Sequence, residues 1–213
     1  MKNYFLNIAV IVFLGGLLIS CDDSPYLTDE GVHDPNIEVS KVEYLEQNDW
    51  ELFDTLVLLI DHYDMREEVN NAATFFAATD YAFAFNNQPL DSIYSRYPAD
   101  TIRDYIFNER IMLEELAERG SPLTLNSASG KEFQVFTRTD NDFFAGERWS
   151  SVEPDFLYLT KIIGENIDPI GVDPITIPFE ERDISVRMQT QGIIDPDGNM
   201  MHVISNTHSF GFN

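Results

Sequence analysis

Ala73-Thr74-Phe75-Phe76-Ala77-Ala78-Thr79-Asp80-Tyr81-Ala82-Phe83 decides how this chain folds. Thr74 to Ala77 is apolar apart from one threonine and too short for a helix, so it reads as a buried strand. Thr79 or Asp80 then offers a short side-chain oxygen that can cap a helix beginning at Tyr81. That structural use outweighs a catalytic reading of the pair. Upstream, Leu52, Phe53, Leu56, Val57, Leu59, Ile60 and Tyr63 recur at helical spacing, with Asp54, Asp61 and Asp64 mostly between them. This predicts an amphipathic helix capped by Asn48 or Asp49 and ending near Tyr63 to Met65. A second short helix is expected from Arg66 to Val69.

Downstream, Ile93, Tyr94 and Tyr97 suggest a helical turn that Pro98 breaks. Asp100 is the expected cap of a helix from Thr101 to Phe107, with Ile102, Tyr105 and Ile106 inward. Met112 to Leu116 reads as a further turn closed by Gly120. Strands are expected over Leu123 to Leu125 and Glu132 to Arg138, joined through Ser127-Ala128-Ser129-Gly130. Leu157 to Ile163, Asp183 to Gln191 and Met200 to Ser205 complete the set. The last two meet at the turn Asp195-Pro196-Asp197-Gly198-Asn199.

The 73–83 stretch resembles the first signature of fasciclin-like domains, roughly Thr-x-Phe-Ala-Pro-Thr-Asp/Asn-x-Ala-Phe. Gln189-Thr190-Gln191-Gly192-Ile193-Ile194 followed by Asp197-Gly198-Asn199-Met200-Met201-His202-Val203-Ile204 resembles the second. Between them, Ile102 to Phe107, Leu113-x-x-Leu116, the Leu-Thr-Leu strand and the Gly-Lys hairpin fall in the family's order. The resemblance implies one fasciclin-like domain over 48–213, of α+β class, a β-sandwich-like wedge packed with several α-helices. Three features depart from the pattern. Ala78 stands where the family has proline. The family's Tyr-His pair, tied to integrin adhesion in some animal members, is Tyr105-Ile106 here, so that adhesion mode is not carried over. The 44 residues of 139–182 exceed the usual connection and read as an enlarged insertion.

At the other end, Lys2 precedes an apolar core from Ile8 to Ile19, which reads as a signal peptide over 1–20. Leu18-Ile19-Ser20-Cys21 resembles a bacterial lipobox, which implies cleavage before Cys21 and lipid on its thiol and new amino group. The uncharged stretch from Asn3 to Ser20 has 18 residues, short of the roughly 20 that a spanning helix needs. Residues 21–47 then read as lipidated cysteine, tether and loosely packed lead-in. Asp22-Asp23 resembles a surface-export signal of Bacteroidetes-type lipoproteins, and Asp there also resembles an inner-membrane retention signal of enteric-type bacteria. The favoured expectation is the bacterial outer membrane, lipid-anchored and surface-exposed.

The chain carries 37 Asp and Glu against 13 Lys and Arg, a net charge of -24. Such a chain repels phosphate backbones, and no basic cluster offsets this, so nucleic acid is not an expected partner. It also repels anionic headgroups, leaving the lipid to hold it at the membrane. At 44% hydrophobic and 13% aromatic, a single packed domain is available. One cysteine permits no internal disulfide.

No catalytic residue, metal site or cofactor is expected. Gly-x-Ser-x-Gly, P-loop and dinucleotide motifs do not occur. Asp195-x-Asp197-x-Asn199 imitates half a calcium loop, but Met200 and Asn206 stand where glycine and glutamate belong. His202 reads as a packed, hydrogen-bonded strand residue. His208, about 20 Å further along an extended chain, is too far to share a metal with it.

The insertion supplies the candidate binding residues Phe143, Phe144, Arg148, Trp149 and Tyr158. Aromatics beside carboxylates can stack on sugars, and Trp and Arg anchor protein interfaces. The plainer use is pinning a long loop to the domain. The expected function is a non-catalytic surface lipoprotein acting as a binding or adhesion module, accessory to glycan or nutrient uptake. Its partners would be a glycan or an outer-membrane receptor or transporter. The alternatives are a structural subunit of an outer-membrane transport complex and, less favoured, a polysaccharide hydrolase.

Overall fold

The computed structural model describes residues 35–83, 90–139, 155–164 and 177–212. Cys21, Asp22 and Asp23 lie outside that set, as do Phe143, Phe144, Arg148 and Trp149. The packed body begins at Pro35.

Helix α1 (Lys41–Glu46) falls in the stretch read as tether and lead-in. It is not loose, because Lys41, Val42 and Leu45 are buried and Ser40 Oγ caps it. A six-residue helix is too short to display a period, and lysine is rarely fully buried. Helix α2 (Asp54–His62) buries Leu56, Leu59 and Ile60, the predicted stripe. It starts later than expected because Asn48 serves a turn. Asn48 Oδ1 accepts from the amides of Trp50 and Leu52 at 3.2 and 3.3 Å. Helix α3 (Arg66–Asn71) follows.

Strand β1 (Thr74–Ala77) is wholly buried, as its composition demands. After a single 3₁₀ turn (Asp80–Ala82) come α4 (Leu90–Arg96) and α5 (Ala99–Arg103), with Pro98 at the cap of α5. The helix expected to reach Phe107 stops at Arg103. Ile106–Phe107 instead forms β2, which pairs antiparallel with β1 at Phe75↔Ile106 and Thr74↔Phe107. Ile102 is buried within α5 as expected, whereas Tyr105 and Ile106 are inward for a different reason: they flank or belong to a buried strand. Helix α6 (Leu113–Arg119) ends at Gly120, whose φ of 62° suits the left-handed cap.

The remaining strands are β3 (Leu123–Asn126), β4 (Glu132–Thr139), β5 (Asp155–Lys161), β6 (Ile184–Ile194) and β7 (Met200–Ile204). Together they make one seven-stranded mixed sheet in the order β2-β1-β7-β6-β5-β4-β3, so the class is α+β. The β1–β7 pairing is parallel and sets Phe76 beside His202. Strand β6 serves two neighbours: its first half pairs with β5 and its second half with β7. Register shifts between Met188 and Ile193 make that division, helped by Gly192 at φ 83°. Where β6 leaves β5, Gln191 substitutes for a strand. Its amide accepts from Leu157 N–H at 3.0 Å and donates to the Asp155 carbonyl at 2.9 Å.

The core joins α1–α3 to the β1–β7 half and continues through Phe107, Phe133, Phe210 and Phe212. Truncating one such phenylalanine to alanine typically costs about 3–5 kcal/mol.

Candidate functional site

The two residues that invited a catalytic reading, Thr79 and Asp80, are both spent on structure, though not on the cap expected of them. Thr79 Oγ1 donates to Asn206 Oδ1 at 2.7 Å, tying β1 to the segment after β7. Asp80 Oδ1 accepts from Thr55 N–H at 2.9 Å. Thr55 is the second residue of α2, so Asp80 caps that helix from a distance and not the turn it begins. Burial raises the Asp80 carboxyl above its ordinary value, and the Thr55 hydrogen bond opposes the rise.

The half calcium loop has a lysine in it. Lys41 Nζ donates to Asp195 Oδ2 at 2.7 Å and to the carbonyls of Asn70 and Ala72 at 2.8 and 2.9 Å. Three acceptors exhaust an ammonium. Asp195 Oδ1 accepts from the amides of Asp197 and Asn199, which forms the turn. Burial alone would raise the Asp195 carboxyl, but Lys41 and the Asn199 amide carry it below its ordinary value.

His202 is wholly buried. Its Nδ1 accepts from Gly192 N–H at 3.1 Å, so the proton sits on Nε2, which donates to the Ile111 carbonyl at 3.0 Å. Burial pushes its pKa down to about 4. A second proton would confront the Gly192 N–H directly. His208 leaves the strand path altogether and lies in the segment after β7. Its Nε2 is 2.8 Å from Tyr105 Oη, which itself accepts from Gly211 N–H at 2.9 Å. The phenol's single proton therefore goes to Nε2, and the neutral imidazole carries its own proton on Nδ1. Burial pushes this pKa down to about 4 as well. Among the described residues, no group of three or more His, Cys, Asp or Glu could hold a metal ion.

Tyr158 is the one candidate binding residue within the described set. It lies on the face of β5 opposite the buried Leu157 and Leu159. Its register partners are Phe136 on β4 and Arg187 on β6. The Tyr158 and Phe136 rings stack at 5.3 Å with planes 4° apart. Arg187 places its guanidinium 4.6 Å from the Phe156 ring centre. Thr139 and Asp155, the described residues on either side of 140–154, are paired in register and joined by a side-chain hydrogen bond of 2.6 Å.

Beside Tyr158 an open cleft of about 360 Å³ runs between the first half of β6 and the segment after β7. Ile184, Val186 and Phe212 supply apolar wall, while Ser185, Arg187, Thr207, His208 and Ser209 supply polar groups. Sequence reading assigned none of these a binding role. Alternation along β6 separates Ser185 and Arg187 from Val186, but only strand register shows that they share a face with Tyr158.

Among the described residues, the most exposed aromatics are two without an assigned role, Trp50 and Phe179, each at 81%. Comparison with known proteins yields no family model that matches this chain, and no curated protein matches it either.

Proposed function

We propose that this chain is an exported, lipid-anchored surface protein whose fasciclin-like domain is a non-catalytic binding or adhesion module. The observation that carries the reading is Tyr158. It stacks on Phe136 and borders a cleft, and its strand follows in sequence the segment that carries Phe143, Phe144, Arg148 and Trp149. Aromatic wall beside polar groups is the chemistry of glycan and protein recognition.

The fasciclin-like assignment is supported by the pairing of its two signatures. Thr74–Ala77 and Met200–Val203 are distant in sequence yet form adjacent parallel strands. The β-sandwich-like wedge of that family is consistent with β6 being shared between β7 and β5. Lipid attachment at Cys21 rests on the Leu-Ile-Ser-Cys motif, and surface exposure on Asp22-Asp23.

The non-catalytic reading is supported by where the polar groups go. Thr79, Asp80, Asp195 and His202 are each engaged in holding two parts of the fold together.

The test is a mild detergent pull-down of the lipidated chain from its host, read by mass spectrometry, with a parallel glycan screen. Binding that weakens in Trp149→Ala or Tyr158→Ala supports the module. Stoichiometric recovery of an outer-membrane transporter, with no glycan affinity and no effect of either variant, would replace it with a structural subunit. Turnover of a polysaccharide would overturn the non-catalytic reading outright.

A further inference from the structure

We propose that the exposed rings of Trp50 and Tyr81, with the carboxylates of Asp49, Glu51 and Asp54, form a docking surface for a protein partner that presents arginine. This rests on the binding-module reading and gives the module a contact that needs neither Tyr158 nor Trp149.

The rings are held out on a fixed backbone. Asn48 Oδ1 accepts from the amides of Trp50 and Leu52, and the Asn48 carbonyl accepts from Glu51 N–H at 3.0 Å. Within this turn Glu51 stands at φ 52°, the left-handed region that residues with a side chain seldom adopt. Such strain persists only where the surrounding bonds fix it. The Leu52 carbonyl accepts from Asp80 N–H at 2.7 Å, and Asp80 Oδ1 accepts from Thr55 N–H at 2.9 Å. These two bonds set the turn that carries Trp50 beside the 3₁₀ turn that carries Tyr81. Trp50 is 81% exposed and Tyr81 55%. A surface already ordered in this way loses little freedom when a partner settles on it.

The chemistry of the partner follows from what the surface lacks. Phe179, as exposed as Trp50, has the Arg182 guanidinium 5.7 Å from its ring centre. Trp50 and Tyr81 have no such cation among the described residues, although indole is the best ring for one. Asp49, Glu51 and Asp54 are exposed. None of them joins an ion pair among the described residues. A guanidinium answers both needs, laying its face on a ring and its edge against a carboxylate. A lysine ammonium would meet the charge without the stacking. A neutral sugar would cover the rings and leave three carboxylates uncompensated. The net charge of -24 steers a cationic partner towards this chain in the first place.

The experiment is fluorescence anisotropy of a labelled tetra-arginine peptide titrated with the full chain in detergent. A second peptide carries citrulline at each position, which keeps the planar shape and removes the charge. The arginine peptide is expected to bind and the citrulline peptide not to. Trp50→Ala and Tyr81→Ala should each weaken binding by about two- to fivefold, the value of a cation over an exposed ring. Neither variant alters the net charge, and the melting temperature should hold in both. Glu51→Gln should weaken binding as well. Arginine binding indifferent to both ring variants would mean that net charge alone attracts the peptide, and would overturn the surface. Equal binding of the citrulline peptide would overturn the charge role, and no binding of the arginine peptide the whole proposal. A glycan that binds through Trp50 while the arginine peptide does not would replace the protein partner with a sugar. Should a ligand be lost in Trp149→Ala or Tyr158→Ala but not in Trp50→Ala, this surface falls while the binding module stands.

Discussion

Lys41 spends its three protons on two carbonyls and Asp195, and removing the lysine leaves that carboxylate buried without its cation. Lys41→Met is therefore expected to destabilise the fold by about 3–5 kcal/mol, read as a shift in the urea midpoint. Adding Asp195→Asn should restore part of that loss, since the charge disappears while an oxygen remains for the turn amides. The two buried histidines act on a different variable. Their folded pKa values lie near 4, against 6.5 for the free side chain. Between those values the unfolded chain binds more protons than the folded one. Stability is thus complete above about pH 6.5 and falls as pH drops towards 4, by about 1.4 kcal/mol per pH unit for each histidine. Asp80, whose carboxyl burial raises, acts in the opposite direction. Urea titrations from pH 7 to 5 should show the slope, and His202→Gln should remove about half of it. A slope unchanged in that variant would mean His202 titrates normally.

At the level of elements, α2 depends on a carboxylate 25 residues away in sequence for its cap. Asp80→Ala should lower stability by about 1 kcal/mol, while Asp80→Asn, which keeps an oxygen for the Thr55 amide, should lose less. Thermal melts of both variants decide it. Local chemistry made Asp80 legible as a cap but could not say of which helix, because the partner arrives only with folding. The same limit runs through the fold. The stripe Leu56, Leu59, Ile60 and the apolar block Thr74–Ala77 each announce their own period, so α2 and β1 are readable in isolation. Ile106–Phe107 is too short to have a period and was drawn into the helix preceding it. The Lys41 helix hid because its decisive contact, Asp195, lies 154 residues further on. The cleft was hardest of all. Tyr158 stood out as an aromatic near the loop, whereas Arg187, Thr207 and Ser209 are ordinary residues until β6 and the segment after β7 are set side by side.

For the whole molecule, charge and the proposed lipid anchor make opposite demands. A chain of net charge -24 is driven away from anionic headgroups, so its surface supplies no attraction to replace a missing lipid. One acyl chain alone holds a protein only marginally, and two or more hold it firmly. Lipidation at Cys21 should consequently be all-or-none in effect. Wild-type chain expressed in a Bacteroidetes-type host with a labelled fatty acid is expected to take up label and to sediment with the outer membrane. Cys21→Ser should take up none and move to the soluble fraction. Raising salt should not return it to the membrane, because screening weakens a repulsion without supplying an attraction. If Cys21→Ser stays with the membrane, something other than lipid holds it. A protein receptor would then be the first candidate, and co-sedimentation from a host lacking the recovered partner would test it.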